Sequence, residues 1–161
     1  MLYLDSSALI KHYVQEPGTR EIDDKLKAEE IAGRPLFTSV ITYAEIHRAL
    51  ARRMKDGSLI PQAFLVARRE FDADWLSGLT TIELRSDVLV FIQRIVEQFP
   101  LKSSDAMHLA SAFSLRDRFR LSGRLGAREV TITFATADRE LAGAALASYL
   151  EVFNPETAGL P

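Results

Sequence analysis

Short apolar runs alternate along this chain with longer stretches in which apolar residues recur at helical spacing. Leu2-Tyr3-Leu4 is the first run, and a helix then extends to about Val14 with Ser6 or Ser7 placed to cap it. Pro17-Gly18 breaks that helix, and Thr19 opens a charged one that ends near Ile31. Gly33-Arg34-Pro35 predicts a turn before a short strand, Leu36-Phe37-Thr38. From Val40 to about Lys55 the spacing is helical again, with Ile41, Ala44, Ala49 and Leu50 broadly on one side. Asp56-Gly57-Ser58 ends this helix, and Pro61 suits the first turn of the next, which runs to about Leu76.

The second half repeats the scheme. Thr80 to Leu84 alternates and carries β-branched residues, which predicts a strand. A helix capped by Ser86 runs to about Phe99 and stops at Pro100, and another opens at Ser103 or Ser104 and runs to about Phe119. Gly123 and Gly126 mark a loop. Val130 to Phe134 has the residue types a pleated surface favours, a helix follows from Asp138 to about Ser148, and Tyr149 to Phe153 is the last predicted strand. Strands that alternate with helices predict an α/β fold, a three-layer sandwich with a mostly parallel sheet covered on both faces. In such sheets, groups at the carboxyl ends of the strands share one crevice. Asp5 and Asp138, each just past a predicted strand, belong to that edge.

At 161 residues the chain suits one domain, expected over residues 1–155 with a frayed tail at 156–161. The formal charge of −2 does not announce a nucleic-acid binder, although local clusters can still make one. There is no cysteine, which excludes disulfides, thiolate catalysis and thiolate-bound zinc. No stretch approaches the ~18 uninterrupted apolar residues of a membrane span, and no basic region precedes an apolar one at the N-terminus. A cytoplasmic protein without membrane association is the expectation.

Asp5, Glu45, Asp105 and Asp138 stand out because each is an acid in apolar surroundings. Each also has an ordinary explanation. Asp5 and Asp138 suit helix caps, Asp105 suits the first turn of a helix, and Glu45 precedes Arg48 by one turn, the spacing of a surface ion pair. Convergence of all four would be another matter. Two carboxylates about 4 Å apart repel by roughly 4 kcal/mol at an effective dielectric of about 20. Three or four stay ionised together only around a cation. Oxygen-only ligation suits Mg²⁺ or Mn²⁺. His12, His47 and His108 show no ligand spacing for zinc. His108 falls one turn after Asp105, so it could face the same crevice, but a satisfied core or helix-surface histidine is the plainer expectation.

The acids lie in strings that resemble the PIN-domain nucleases, most closely the VapC-like toxins of bacterial and archaeal toxin–antitoxin pairs. Leu4-Asp5-Ser6-Ser7-Ala8-Leu9-Ile10-Lys11, continuing through Tyr13 to Glu16-Pro17-Gly18-Thr19, is similar to the family's first motif. Thr38-Ser39-Val40-Ile41-Thr42-Tyr43-Ala44-Glu45-Ile46 resembles the second, Leu101-Lys102-Ser103-Ser104-Asp105-Ala106-Met107-His108-Leu109-Ala110 the third, and Thr136-Ala137-Asp138-Arg139-Glu140-Leu141 the fourth. The resemblance implies an endoribonuclease dependent on Mg²⁺ or Mn²⁺, with Asp5, Glu45, Asp105 and Asp138 as catalytic metal ligands. Ser6 and Thr136 fall where the family places hydroxyls that assist the cleft. It further implies attack of metal-activated water on an RNA phosphodiester, leaving a 3′-hydroxyl and a 5′-phosphate. A cognate antitoxin and a homodimer are the partners it implies. An RNA-processing nuclease of the same fold without an antitoxin, and a non-catalytic binding module, are the alternatives.

Two basic groups are candidates for RNA contact. Arg116, Arg118, Arg120, Arg124 and Arg128 are opposed only by Asp117, and Arg48, Arg52, Arg53 and Lys55 follow Glu45. Arginine binds phosphate bidentately, but a solvated helix end explains either cluster equally well.

Overall fold

The computed structural model describes residues 1–121 and 131–159. Its centre is β1 (Leu2–Leu4), a strand whose three residues are completely buried, as expected for a strand covered on both faces. Around it lie β2 (Leu36–Ser39), β3 (Leu79–Ile82), β4 (Thr133–Ala135) and β5 (Glu151–Phe153), in the spatial order β3-β2-β1-β4-β5 and all parallel. The helices are α1 (Ser6–Tyr13), α2 (Thr19–Ile31), α3 (Thr42–Lys55), α4 (Pro61–Ser77), α5 (Ser86–Gln98), α6 (Ser103–Leu121) and α7 (Arg139–Ala147). The expected α/β sandwich is therefore what the chain forms, and the sheet is wholly parallel.

The pleat divides the core in two. Tyr3 points into one layer with Phe37, Phe134 and the apolar faces of α5, α6 and α7, and its ring stacks on Phe134 at 5.1 Å. Leu2 and Leu4 point the other way, onto Leu9, Ile46, Leu50 and Phe71 of α1, α3 and α4. The chain builds the β2–β3 side of the sheet first and the β4–β5 side last. The order thus reverses between β1 and β4, the place where α/β sheets leave a ligand crevice.

Local differences from the expected elements have physical causes. Asp5, not Ser6 or Ser7, caps α1: its Oδ1 accepts from the Ala8 amide at 2.9 Å. The last strand starts two residues later than expected because Tyr149 takes a positive φ of 61° and closes α7. Tyr149 and Leu150 donate their amides back to the carbonyls of Leu146 and Ala145, the paired bonds that terminate a helix through a left-handed residue. β4 is displaced toward Ala135, which pairs with Leu4; Val130 lies outside the described residues. Among the described residues no helix is long and apolar enough to cross a membrane.

Candidate functional site

Parallel register sets the first part of the site. Leu4 pairs with Ala135 and with Thr38, so the next residues on β1 and β4, Asp5 and Thr136, emerge side by side at the carboxyl edge. Asp5 is 3 % exposed, and every bond it accepts comes from its neighbours at this edge. Oδ1 takes the Ala8 amide and the Ser7 hydroxyl at 2.9 and 2.8 Å, and Oδ2 takes the Thr136 hydroxyl at 2.9 Å. Burial pushes the Asp5 carboxyl above the usual range, while His108 and these donors pull it back. Thr136 in turn accepts the Asp138 amide at 3.1 Å, and Asp138 caps α7 by taking the Leu141 amide at 2.9 Å. Asp5 and Asp138 are thus both helix caps and members of one crevice.

Glu45 reaches the crevice from the first turn of α3. The end of β2 is fixed by Thr38, whose hydroxyl contacts the Leu4 carbonyl and the Thr42 hydroxyl, each at 2.7 Å. The expected pair with Arg48 is replaced by a better partner, since His108 Nε2 lies 2.7 Å from Glu45 Oε2. Burial pushes the Glu45 carboxyl up, but His108 and the hydroxyls of Ser6 and Ser104 outweigh it and hold the group below its ordinary value. His108 is 1 % exposed and spans from Glu45 to the Tyr3 phenol, 3.0 Å from Nδ1. Burial holds that phenol far above its ordinary pKa, so it stays protonated. The Glu45 carboxylate can only accept, so Nε2–H donates to it. His108 is therefore both a satisfied core histidine and the group that orients Glu45.

Replacing His108 with Leu, which restores much of the bulk, takes from the phenol and the carboxylate the partner they share and leaves them only the neighbouring serine hydroxyls. The expected cost is about 3 kcal/mol. That is a fall in Tm of roughly 6–12 °C by thermal unfolding. A fall of less than about 1 °C would show that the Tyr3–His108–Glu45 chain holds nothing.

Asp105, in the first turn of α6, completes the set. Its carboxyl is pushed above the usual range, first by burial and next by the negative charge of Asp138; Asp5 adds to this, and Lys102 opposes it. The acids consequently feel one another across the crevice. Among the described residues no three His, Asp or Glu side chains form a ready-made metal cage. The donor set still fits Mg²⁺ or Mn²⁺, because these ions keep several waters and need only one or two carboxylates in direct contact. The mutual repulsion at Asp105 is what such a cation would relieve.

The hydroxyl candidates join the acids, and the basic ones do not. Ser6 serves Glu45 and Thr136 serves Asp5, so both hydroxyls support acids of the cleft. Ser7, which we expected only to cap α1, instead ties the two strand ends together: it donates to Asp5 and accepts the Ala137 amide at 2.8 Å. Arg48 is exposed on α3, one turn beyond Glu45. Arg116 lies about three turns, or roughly 16 Å, along α6 from Asp105. Its guanidinium covers the Phe113 ring at 4.9 Å, and Arg118 is paired with Asp87 at 2.6 Å. Arg120 is exposed in the last turn of α6, and Arg124 and Arg128 lie outside the described residues. The structure does not bring Arg116, Arg118 or Arg120 to the acids.

Comparison with known proteins gives a consistent picture. The PIN domain family model matches residues 2–146. The chain is 30% identical over 141 residues to a protein of Mycobacterium tuberculosis named ribonuclease VapC47, covering 88% of this chain and 87% of that one. Among solved structures, VapBC2 from Rickettsia felis bound to a promoter DNA fragment has a chain that matches with a TM-score of 0.63 at 13% identity, covering 96% of this chain and 98% of that one. FitAcB from Neisseria gonorrhoeae matches with a TM-score of 0.62 at 18% identity and the same coverage. At these identities the structural matches establish the fold.

Proposed function

This chain belongs to the PIN-domain family, and from that premise we propose that it is a Mg²⁺- or Mn²⁺-dependent endoribonuclease, the toxin of a toxin–antitoxin pair. What supports the reading is the placement of Asp5 and Asp138 just past the carboxyl ends of β1 and β4, with Glu45 and Asp105 in the first turns of α3 and α6 and the Asp105 carboxyl raised partly by the charges of Asp138 and Asp5. The likeness to a protein named as a VapC ribonuclease supports RNA as substrate. An antitoxin partner is supported by neighbours such as a solved toxin–antitoxin complex from Klebsiella pneumoniae. A homodimer acting in the cytoplasm belongs to the same reading.

The four acids would hold the metal, which when bound supplies neutralising charge to the phosphodiester and lowers the pKa of an attacking water. The chain's own contribution is to hold its ligands still before substrate arrives. Thr136 and Ser7 fix both oxygens of Asp5. Tyr3 and His108 set the rotamer of Glu45, and the α7 cap sets Asp138. Asp105 rides on the first turn of α6, whose helix dipole favours its negative charge.

Mapping RNA ends after brief induced expression tests the function. New 5′-phosphate ends at discrete positions are expected with the wild-type chain and not with Asp5→Asn. Identical end profiles from both would reject the nuclease reading.

A further inference from the structure

Beside the acids, in the same cleft of about 320 Å³ that Glu45 and Asp138 line, lies a cationic wall with no part in the account above. Lys11 of α1 is 3 % exposed, an unusual depth for lysine. Its ammonium bonds to Glu16 at 3.0 Å and to Glu156 at 2.7 Å. Arg53 reaches in from α3 and pairs with the other oxygen of Glu16. Arg53 Nη1 is closed to solvent and has no hydrogen-bond partner, one of two such side-chain atoms among the described residues.

Glu156 is brought here by a turn of its own. Asn154 Oδ1 accepts the Glu156 amide at 2.9 Å, and the segment packs on the α1–α2 turn. The approach is so close that a Cβ at Gly18, where φ is +91°, would lie 2.9 Å from the Pro155 carbonyl carbon. Glu156 is also the loosest member: its side chain is 42% exposed, against 20% for Glu16. It can leave while Glu16 still pairs with both Lys11 and Arg53, so neither cation is orphaned, which would be strongly unfavourable, and the group is left with one net positive charge.

We propose that Lys11 and Arg53 form a phosphate subsite beside the acid cluster, taking an RNA backbone phosphate next to the one that is cut, and that Glu156 occupies it as an internal anion until RNA displaces it. The proposal rests on the nuclease reading. The cations supply charge-assisted donors where a polyanion must pass a wall of carboxylates. Arg53 Nη1, which has no partner in the folded chain, adds a donor for the incoming phosphate. A phosphate in place of Glu156 therefore binds a site already built, at the cost of releasing one exposed carboxylate to water.

The test measures binding of a single-stranded RNA oligonucleotide by full-length protein carrying Asp5→Asn with Mg²⁺ present, across a salt series. Wild-type cleavage of the same RNA is the control. With Glu156→Gln added, affinity should rise by about threefold to tenfold. The slope of log affinity against log salt should hold, because the phosphate sits on Lys11 and Arg53 in both complexes; one phosphate contact on a single strand is worth about 0.7 of that slope. Arg53→Gln should weaken binding and flatten the slope by a similar amount, and Arg53→Met, which keeps the apolar stem and removes the charge, serves in its place should that variant fail to fold. Wild-type cleavage with unchanged affinity in Glu156→Gln, but a lowered Tm, would show a mere staple for the C-terminal turn and overturn the subsite alone. Absence of both cleavage and RNA binding would overturn the nuclease reading together with it.

Discussion

Asn in place of Asp5 should lower RNA cleavage by more than about 10³-fold while leaving the fold at least as stable as before. The two halves of this expectation come from different atoms of one side chain. Asn keeps the oxygen that accepts from Ala8 and Ser7, and Asn is as good a helix cap as Asp. At the other position its amide meets the Thr136 hydroxyl, which can accept there and turn its proton toward Ser7, 3.3 Å away. What disappears is the charge. Burial already disfavours that charge in the folded chain, as the raised Asp5 carboxyl records, so its removal in metal-free buffer should leave Tm unchanged or higher. Cleavage by the purified variant, beside its melting curve, decides the matter. Retained cleavage would remove Asp5 from the site. Lost cleavage with a collapsed Tm would mean that the residue serves as a cap and nothing more.

That double duty marks the limit of what the sequence made legible. The strand-helix alternation and the place of Asp5 and Asp138 at the carboxyl edge were expected, because each is written in a contiguous string or follows from parallel register. Expectation failed where a residue's partner is remote in sequence. Glu45 looked like the partner of Arg48, one turn away, yet it bonds to His108 across 63 positions. Tyr3 looked like one apolar residue in a strand and proves to carry the far end of that chain through His108. Lys11 falls inside the first motif without any hint that Glu156, 145 residues on, would bury it. The basic run from Arg116 was conspicuous for its composition, but helix α6 points its acid end at the crevice. Its arginines are carried to the other end, where Phe113 and Asp87 engage two of them. Charge density in sequence says nothing about which edge of a sheet a helix terminus will face.

Removing divalent metal should abolish cleavage altogether, and Mg²⁺ or Mn²⁺ should restore it, with a second readout that does not depend on catalysis. A ligand that binds only the folded chain stabilises it by about 2.7 kcal/mol at roughly a hundred times its Kd. For a domain of this size that is a rise in Tm of roughly 5–10 °C. The rise has an identifiable source. Asp105 is held above its ordinary range by burial and by the charges of Asp138 and Asp5, a strain that a cation among them converts into attraction. Asp5→Asn removes one of those charges and should shrink the shift well below that of the wild type. Zinc should reproduce neither effect well, because the imidazoles it prefers are engaged: His12 with Asp23, His47 with Asp72, and His108 with Tyr3 and Glu45. Full cleavage in excess chelator, together with a Tm that ignores Mg²⁺ and Mn²⁺, would leave the repulsion at Asp105 with no cation to relieve it, and the metal-dependent reading would have to be abandoned.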